Sequence, residues 1–208
     1  MTEMFDIYDE NLTHIGVKAR AAVHTDGDWH KVFNCWVIYR DDDGQDWVIL
    51  QKRAATKDTF PDMLDISAAG HYEAGESTRD GIRELEEELG LSPKFEDLIP
   101  LGRRVSVTKY NSVVDRQFAN VFFYICDQPL SAYQYQKDEI AGLLAMKADD
   151  GLRLLVGDIP ALDVPCVGFD SETVCITSDN FIPAQDHYFE KICVLARRCL
   201  DGEKYLWI

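Results

Sequence analysis

The sequence predicts an α/β domain in which helices cover a mixed β-sheet. Segments typical of strands lie on both sides of a central helical segment, and further helical segments follow towards the end of the chain. Hydrophobic residues make up 46% of the 208 residues and charged residues 28%, which is the usual balance of a globular domain. A chain of this length can bury a sizeable core without disulfides or structural metals. The six cysteines form no CxxC pair, so we expect reduced thiols.

The first part of the chain predicts a short strand and then a hairpin. Glu3–Tyr8 has strand character within a leading segment. Phe33–Arg40 and Trp47–Lys52 are rich in strand-forming residues and flank the turn Asp41–Asp46, which predicts two antiparallel strands. The stretch 59–77 contains one proline and two glycines, and we expect it to be mostly loop.

The rest of the chain predicts a helix, further strands and two closing helices. Ser77–Leu89 has helical periodicity, and Gly90 is a typical helix end. The stretch Ile159–Pro183 is rich in loop residues and carries no pattern that assigns it. The other predicted elements are strands at Arg103–Thr108 and Gln117–Cys126 around a turn at Tyr110–Asp115, a segment at Glu139–Met146 that fits a strand or a helix, and helices at Ala148–Val156 and Gln185–Leu200.

The charge of the chain excludes some classes of partner. Its formal net charge is −16, from 37 acidic and 21 basic residues. A surface this acidic repels nucleic-acid phosphates, so we expect no nucleic-acid partner. No apolar run reaches the roughly 18 residues of a membrane span, and the acidic N-terminus lacks the pattern of a signal peptide. We therefore expect a cytoplasmic protein with no membrane partner.

One segment, GHYEAGESTRDGIRELEEELGL at 70–91, carries a pattern suited to metal chemistry. On a helix, Glu84, Glu87 and Glu88 stand at i, i+3 and i+4 and project from one face. Three converging carboxylates suit a hard cation such as Mg²⁺ or Mn²⁺. An exposed acidic face would give the same spacing. Arg83 among the acids favours a built site, because its guanidinium can anchor a carboxylate through two hydrogen bonds.

The same segment resembles the signature of the Nudix hydrolase family. That signature runs Gly, five residues, Glu, seven residues, and then Arg-Glu-apolar-x-Glu-Glu-x-Gly-apolar. Here Gly70 and Glu76 have the expected separation, and 83–91 matches the second half residue for residue. The spacer 77–82 has six residues instead of seven, so the chain departs from the pattern just after Glu76.

The resemblance implies a fold and a domain organisation. It implies a Nudix-type α/β/α sandwich with a mixed sheet, formed as a single Nudix domain over residues 1–208. Residues 1–30 would be an N-terminal extension packing on it, and 160–208 a C-terminal loop and helix. Whether the domain forms a homodimer stays open.

The resemblance also implies a reaction and its residues. Family members hydrolyse a diphosphate linkage in a nucleoside diphosphate derivative or similar small metabolite, with Mg²⁺ (or Mn²⁺). Glu84, Glu87 and Glu88 would bind the cation together with the Gly70 carbonyl. Arg83 would orient a carboxylate of the helix, while Glu76 would brace the loop. The general base differs between members, and the candidates here are Glu84, Glu87 and Glu139.

The resemblance extends to a subgroup related to isopentenyl diphosphate isomerase, through AVHTDGDWHKVFNCW, LQKR and ISAAGHYEAG. In that isomerase a cysteine that transfers protons precedes the Gly-His pair, and here Ala69 occupies the position. Gln117 stands where the isomerase has a titratable glutamate, so we favour hydrolysis over isomerisation. His24, His30 and His71, however, match the three histidine ligands of the isomerase metal site, and a second metal site stays open. A non-catalytic ligand-sensing module is a further alternative.

Residues on the substrate side are predicted from charge and position. Lys52 and Arg53 end the second hairpin strand and could meet a phosphate, as could His71 in the motif loop; a surface role is the alternative for the two basic residues. Trp36 and Tyr72 could stack on a base, but aromatic residues at such positions are more often part of the core.

Overall fold

The structure is a computed structural model that describes residues 2–111 and 113–208. The chain folds into a large β-sheet with helices on both faces. The strands are β1 (Met4–Tyr8), β2 (His14–Ala19), β3 (Trp29–Arg40), β4 (Asp46–Arg53), β5 (Leu64–Asp65), β6 (Ala68–His71), β7 (Ile99–Tyr110), β8 (Val113–Ile125), β9 (Ile140–Lys147), β10 (Leu162–Val167) and β11 (Thr173–Ile176). The helices are α1 (Arg20–Asp26), α2 (Arg83–Leu89), α3 (Ala148–Leu155) and α4 (Tyr188–Leu200).

The sheet is mixed, as the sequence predicts. Its main path runs β11-β10-β9-β4-β3-β1-β2. Strand β8 pairs with β3 in parallel over ten residue pairs, from Trp29↔Arg116 to Ile38↔Ile125. The remaining strand pairs are antiparallel, including the long β7–β8 hairpin. The predicted turn between these two strands includes Ser112, which lies outside the described residues.

Alternation along β3 divides the core into two layers. Trp36 and Ile38 point to a cluster that contains residues of α3 and α4, whereas Cys35 and Val37 point to a cluster that contains Leu85 of α2. Because successive side chains of a strand point to opposite faces, one sheet buries both clusters at once. Helix α2 covers one face and α3 with α4 cover the other. The predicted α/β/α sandwich is confirmed.

Ser67 joins β3 and β4 where the two strands diverge. Direct pairing of the strands covers Ile38–Arg40 against Asp46–Val48. Beyond it, the Ser67 hydroxyl accepts a hydrogen bond from the Val37 N–H at 2.8 Å and donates one to the Ile49 carbonyl. Ser67 is fully buried. The hydroxyl therefore replaces the missing strand contact and lets β6 enter beside β3.

Replacing Ser67 with alanine should destabilise the fold by about 2 to 4 kcal/mol, because two buried backbone groups lose their partner. For a chain of this size the melting temperature should fall by about 5 to 15 °C, measurable by calorimetry. Ser171→Ala, at an exposed turn, is the control and should change the melting temperature by less than about 2 °C. Equal melting temperatures for the two variants would contradict this role.

The structure corrects the predicted start of the motif helix. Ser77–Arg79 is not helical, because the Asp80 carboxylate accepts hydrogen bonds from the Ser77 N–H and hydroxyl, each at 2.7 Å, and closes a turn. A short 3₁₀ turn at Asp80–Ile82 then leads into α2. Gly90 ends the helix as predicted, with a left-handed φ of 69°.

The structure also assigns the segments that the sequence left open, and it contains one helix that the sequence did not predict. The segment with two interpretations is the strand β9, and the unassigned stretch contains β10 and β11. Helix α1 was not predicted, because its seven residues are too few to show a clear period. Strand β1 pairs with β2 and with β3, so the N-terminal segment extends the same sheet. None of the helices in 2–111 and 113–208 has the length and apolar character that crossing a membrane requires.

Candidate active site and histidine cluster

A cavity of about 960 Å³ lies beside the acidic helix. Its walls come from α1, α2, the β4–β5 loop, β7 and the segment that enters α4. The three predicted glutamates line it, and so do Gly70 and His71. The structure therefore brings together residues that are far apart in the sequence around one space that can hold a ligand.

Close approach of β6 to α2 explains the glycine of the motif. Gly70 pairs with Phe33 in the β3–β6 ladder, and its α-carbon faces the carboxylate of Glu84. A β-carbon at position 70 would lie 2.1 Å from the Glu84 Cδ atom, far inside van der Waals contact. Any side chain at position 70 would therefore force the Glu84 carboxylate away from this backbone.

The three glutamates differ in their exposure. Glu84 and Glu88 are buried, at 7% and 6% exposure, while the side chain of Glu87 is 54% exposed. The Glu88 carboxylate accepts hydrogen bonds from the Ala69 N–H at 3.0 Å and from the Gln51 side chain at 3.3 Å. Gln51 was not predicted as a site residue; a polar residue in the buried run of β4 was the available signal. The exposed acidic face considered from the sequence therefore applies to Glu87 alone.

Arg83 holds the loop and the helix together. Its guanidinium donates to Glu76 at 3.1 and 3.3 Å and to the His71 carbonyl at 2.8 Å. It also contacts Glu84 at 2.6 Å and Glu87 at 3.1 Å. Glu76 in turn accepts the Glu73 N–H at 2.7 Å. The shortened spacer thus still lets Glu76 reach Arg83.

Burial disfavours the ionised form of the Glu84 and Glu88 carboxylates. Burial raises the pKa of Glu84 to about 7, against an opposing effect of Arg83. Burial also raises the pKa of Glu88 to about 8, partly offset by the Ala69 hydrogen bond. A buried carboxylate at this position is costly unless a cation compensates its charge. The electrostatics therefore favour a compensating cation near these two carboxylates, although the ligand atoms of Glu84, Glu87 and Glu88 do not all lie within 4.8 Å of one another.

A second cluster lies in the same cavity region. His24, His30 and His71 come from α1, β3 and β6, and one ligand atom of each lies within 4.8 Å of those of the others. Asp115 of β8 reaches the cluster, with its Oδ1 atom 3.3 Å from His30 Nε2 and 3.9 Å from His24 Nε2. Phe5 stacks on His71 at 4.6 Å between ring centroids and closes one side.

Four buried polar atoms of this cluster lack a hydrogen-bond partner. Within the described residues, the Nε2 atoms of the three histidines and Oδ1 of Asp115 are buried without a hydrogen bond of acceptable geometry. Burial lowers the pKa of His30 to about 4 and lowers the pKa of His24 and of His71. Neutral imidazoles offer a lone pair to a metal. Histidine nitrogens with a carboxylate oxygen form a donor set that fits a divalent transition metal.

Of the other predicted site residues, some line the cavity and some do not. Arg53 lines the cavity, with its guanidinium held by the Thr59 carbonyl and Asp65. Glu139 also lines the cavity and pairs with Lys57. Lys52 does not line it, because its amine pairs with Asp62 at 3.1 Å and lies over the Phe169 ring. The two other residues, Trp36 and Tyr72, are buried, in agreement with the core interpretation.

Comparisons with known proteins agree with this geometry. The family model described as NUDIX domain matches residues 29–153. An uncharacterized Nudix hydrolase of Clostridium acetobutylicum is 35% identical over 205 residues, covering 96% of this chain and 98% of that protein. The chain belongs to the Nudix hydrolase family. Nudix hydrolases generally use divalent metals.

Two further comparisons concern the subgroup related to isopentenyl diphosphate isomerase and the fold. An isopentenyl-diphosphate Delta-isomerase of Clavibacter michiganensis is 30% identical over 131 residues, covering 62% of this chain and 66% of the isomerase. A crystal structure of a protein from Deinococcus radiodurans superposes with a TM-score of 0.56 at 21% identity, covering 74% of this chain and 90% of that one. This structural likeness supports the fold alone. The similarity to both hydrolases and isomerases matches the two resemblances in the sequence.

Proposed function

We propose that this Nudix protein is a Mg²⁺-dependent (or Mn²⁺-dependent) hydrolase that cleaves a diphosphate linkage in a nucleoside diphosphate derivative or similar small metabolite. The observation that carries the proposal is the pair of buried carboxylates, Glu84 and Glu88, that face a ligand-sized cavity. Burying two ionised carboxylates costs free energy unless a cation compensates their charge. A cation held by them could also bind the oxygens of a diphosphate.

The residues divide into those that would hold the cation and those that orient them. Glu84, Glu87, Glu88 and the Gly70 carbonyl are hard oxygen donors that would hold it. When bound, the cation neutralises diphosphate charge and lowers the pKa of a water. Arg83 fixes the positions of Glu84 and Glu87 through direct contacts.

Proton transfer from the attacking water needs a carboxylate at the cavity. Glu84, Glu87 and Glu139 all line it and are the candidates for the general base. Glu139 has Lys57 as a partner, which would fix its position in the cavity wall. On the substrate side, we propose that Arg53 and His71 contact the diphosphate region; Lys52 is left out because its amine does not line the cavity.

The composition supports a small-molecule substrate rather than a macromolecular one. The net charge of −16 disfavours nucleic acid, and we propose a cytoplasmic enzyme built as one domain over 1–208, with no membrane partner. A homodimer is compatible with this proposal. Size-exclusion chromatography with light scattering measures the oligomeric state directly.

Isomerisation is the second candidate because the histidine cluster matches the isomerase pattern. Ala69 lies beside Gly70 at the helix and provides no proton donor. The Gln117 amide donates to Asp115 at 2.7 Å and cannot titrate. Incubation with isopentenyl diphosphate should therefore give no allylic product by NMR. An allylic product without phosphate release would overturn the hydrolase proposal.

A hydrolysis screen tests the main proposal. Nucleoside diphosphate derivatives would be incubated with Mg²⁺ or Mn²⁺, and both products would be detected by chromatography. We expect cleavage that stops when EDTA removes the cation. Binding of these compounds without turnover at every metal concentration would instead support a ligand-sensing module.

The metal-free protein should lose stability as the pH rises from about 6.5 to 8, above the range in which the lowered pKa values of His24, His30 and His71 act in the opposite direction. The folded-state pKa values of Glu84 and Glu88 lie above the ordinary 4.5, so the folded chain binds more protons than the unfolded chain in this window. The free energy of unfolding therefore falls as pH rises through it. Millimolar Mg²⁺ should raise the melting temperature more at pH 8 than at pH 6, compared with EDTA. A melting temperature indifferent to Mg²⁺ and Mn²⁺ would count against the cation site.

A further inference from the structure

The cavity continues beyond the acidic helix to a wall that the Nudix family match does not reach. That match ends at residue 153, whereas Ile182, Pro183, Tyr188 and Phe189 also line the cavity. The Ile182 N–H donates to the Leu64 carbonyl at 3.1 Å, which ties this segment to β5. The C-terminal part of the chain therefore helps to form the space next to the diphosphate position.

A row of polar and aromatic residues on β7 faces the same space. Alternation brings every second residue of the strand to one side, and the row comprises Arg104, Ser106, Thr108 and Tyr110. The aliphatic residues between them, Val105 and Val107, are about half exposed on the other side. Among the described residues, the hydroxyls of Ser106 and Thr108 have no hydrogen-bond partner. The row thus offers hydrogen-bonding groups to a ligand.

Arg104 is the best-fixed member of this row. Its guanidinium donates two hydrogen bonds to Asp186, each at 2.8 Å, and lies 4.0 Å from the centroid of the Tyr188 ring. The Tyr188 hydroxyl accepts hydrogen bonds from Trp36 at 2.9 Å and from Asn34 at 3.3 Å, both within the core. The side chain of Arg104 is only 13% exposed. The core therefore positions this guanidinium before any ligand arrives.

The chemistry of this wall favours a polar ligand group. A fixed guanidinium, two hydroxyls and an aromatic pair, Phe60 and Tyr110 at 4.4 Å between centroids, can bind a ring that carries oxygens and nitrogens. An aliphatic chain in the same place would leave the hydroxyls of Ser106 and Thr108 desolvated and unpaired. Sites built to hydrogen-bond a ligand reject analogues that lack the partner groups.

We propose that Arg104, held by Asp186 and Tyr188, is a specificity-determining residue for the group attached to the diphosphate. That group is a polar ring, such as a sugar or a nucleoside, rather than an aliphatic chain. The inference rests on the proposed function, because it takes the diphosphate to bind at Glu84 and Glu88.

Calorimetric titration with Mg²⁺ present tests this inference on the full chain. The ligands are four nucleoside diphosphate sugars with different bases, and isopentenyl diphosphate. We expect the best nucleoside diphosphate sugar to bind at least about 10-fold more tightly than isopentenyl diphosphate, and Arg104→Met to reduce this ratio by about 10- to 100-fold. Arg103→Met is the matched control, because Arg103 is the preceding residue and lines a separate groove. It should leave the ratio unchanged.

Two results would overturn the inference. One is that the wild-type protein binds isopentenyl diphosphate as tightly as the best nucleoside diphosphate sugar, and the other is that Arg104→Met leaves the ratio of these two affinities unchanged. Thr108→Val keeps the side-chain shape and guards against misfolding of the arginine variant; it should lower the ratio severalfold. Chromatographic detection of the nucleoside monophosphate and the sugar phosphate in parallel separates the two proposals. Selective binding without cleavage would refute the hydrolase, whereas cleavage without selectivity would refute the role of Arg104.

Discussion

Replacing Glu88 with glutamine should lower the rate of diphosphate hydrolysis by about 100- to 1000-fold. Glutamine keeps the shape of the side chain, and its amide oxygen can still accept the Ala69 hydrogen bond. It removes the negative charge, so a cation loses one of its ligands. Loss of several kcal/mol of transition-state stabilisation corresponds to this decrease at about 1.4 kcal/mol per tenfold. The measurement is kcat for the best substrate of the hydrolysis screen, with saturating Mg²⁺.

The matched control for this experiment lies two residues earlier on the same helix. Glu86→Gln makes the same chemical change at an exposed position, and kcat should stay within about twofold of wild type. The metal-free Glu88→Gln protein should melt at a higher temperature than wild type at pH 8, because a buried charge has been removed. Equal kcat for wild type and Glu88→Gln, or equal losses in both variants, would refute a ligand role for Glu88.

The spacing of the acidic helix could be predicted from sequence because it depends only on helical geometry. Residues at i, i+3 and i+4 share a face in any helix, so Glu84, Glu87 and Glu88 could be grouped in advance. Their unequal burial could not be predicted, because it depends on how closely β6 approaches the helix at Gly70. The hairpin β3–β4 was predictable for a similar reason, since its turn and alternation are local.

Features that depend on distant contacts had no local signal. The bridge made by Ser67 depends on where β3 and β4 diverge. The pairing of Arg104 with Asp186 joins residues 82 positions apart. The contrast between Lys52 and Arg53 is decided by their neighbours, since adjacent basic residues look alike in the sequence. Tertiary packing, rather than residue type, selects which of two similar residues reaches the cavity.

We propose that the histidine cluster binds a divalent metal ion, so replacing His30 with glutamine should remove this ion and leave the acidic site intact. Three buried imidazole nitrogens without hydrogen-bond partners among the described residues converge here, and a single cation would satisfy them. Loss of one imidazole should weaken binding by about 100-fold or more, because even changes beside metal ligands cost 10- to 100-fold. Elemental analysis of the purified protein should then find one ion fewer per chain. His14→Gln is the control, because His14 lies on the surface beside Asp6.

The opposite interpretation of the cluster makes a contrary prediction that stability can test. If the histidines only fill space, their buried nitrogens without hydrogen bonds lower the stability of the fold. An apolar side chain at position 30 should then stabilise the protein with or without metal. If they bind a metal, His30→Leu should be tolerated in EDTA but should lose the stabilisation that Mn²⁺ or Zn²⁺ gives to the wild-type protein. Because Glu88→Gln should keep that stabilisation, the two variants together separate the histidine centre from the acidic helix. A Glu88→Gln protein that binds no metal would refute the second centre.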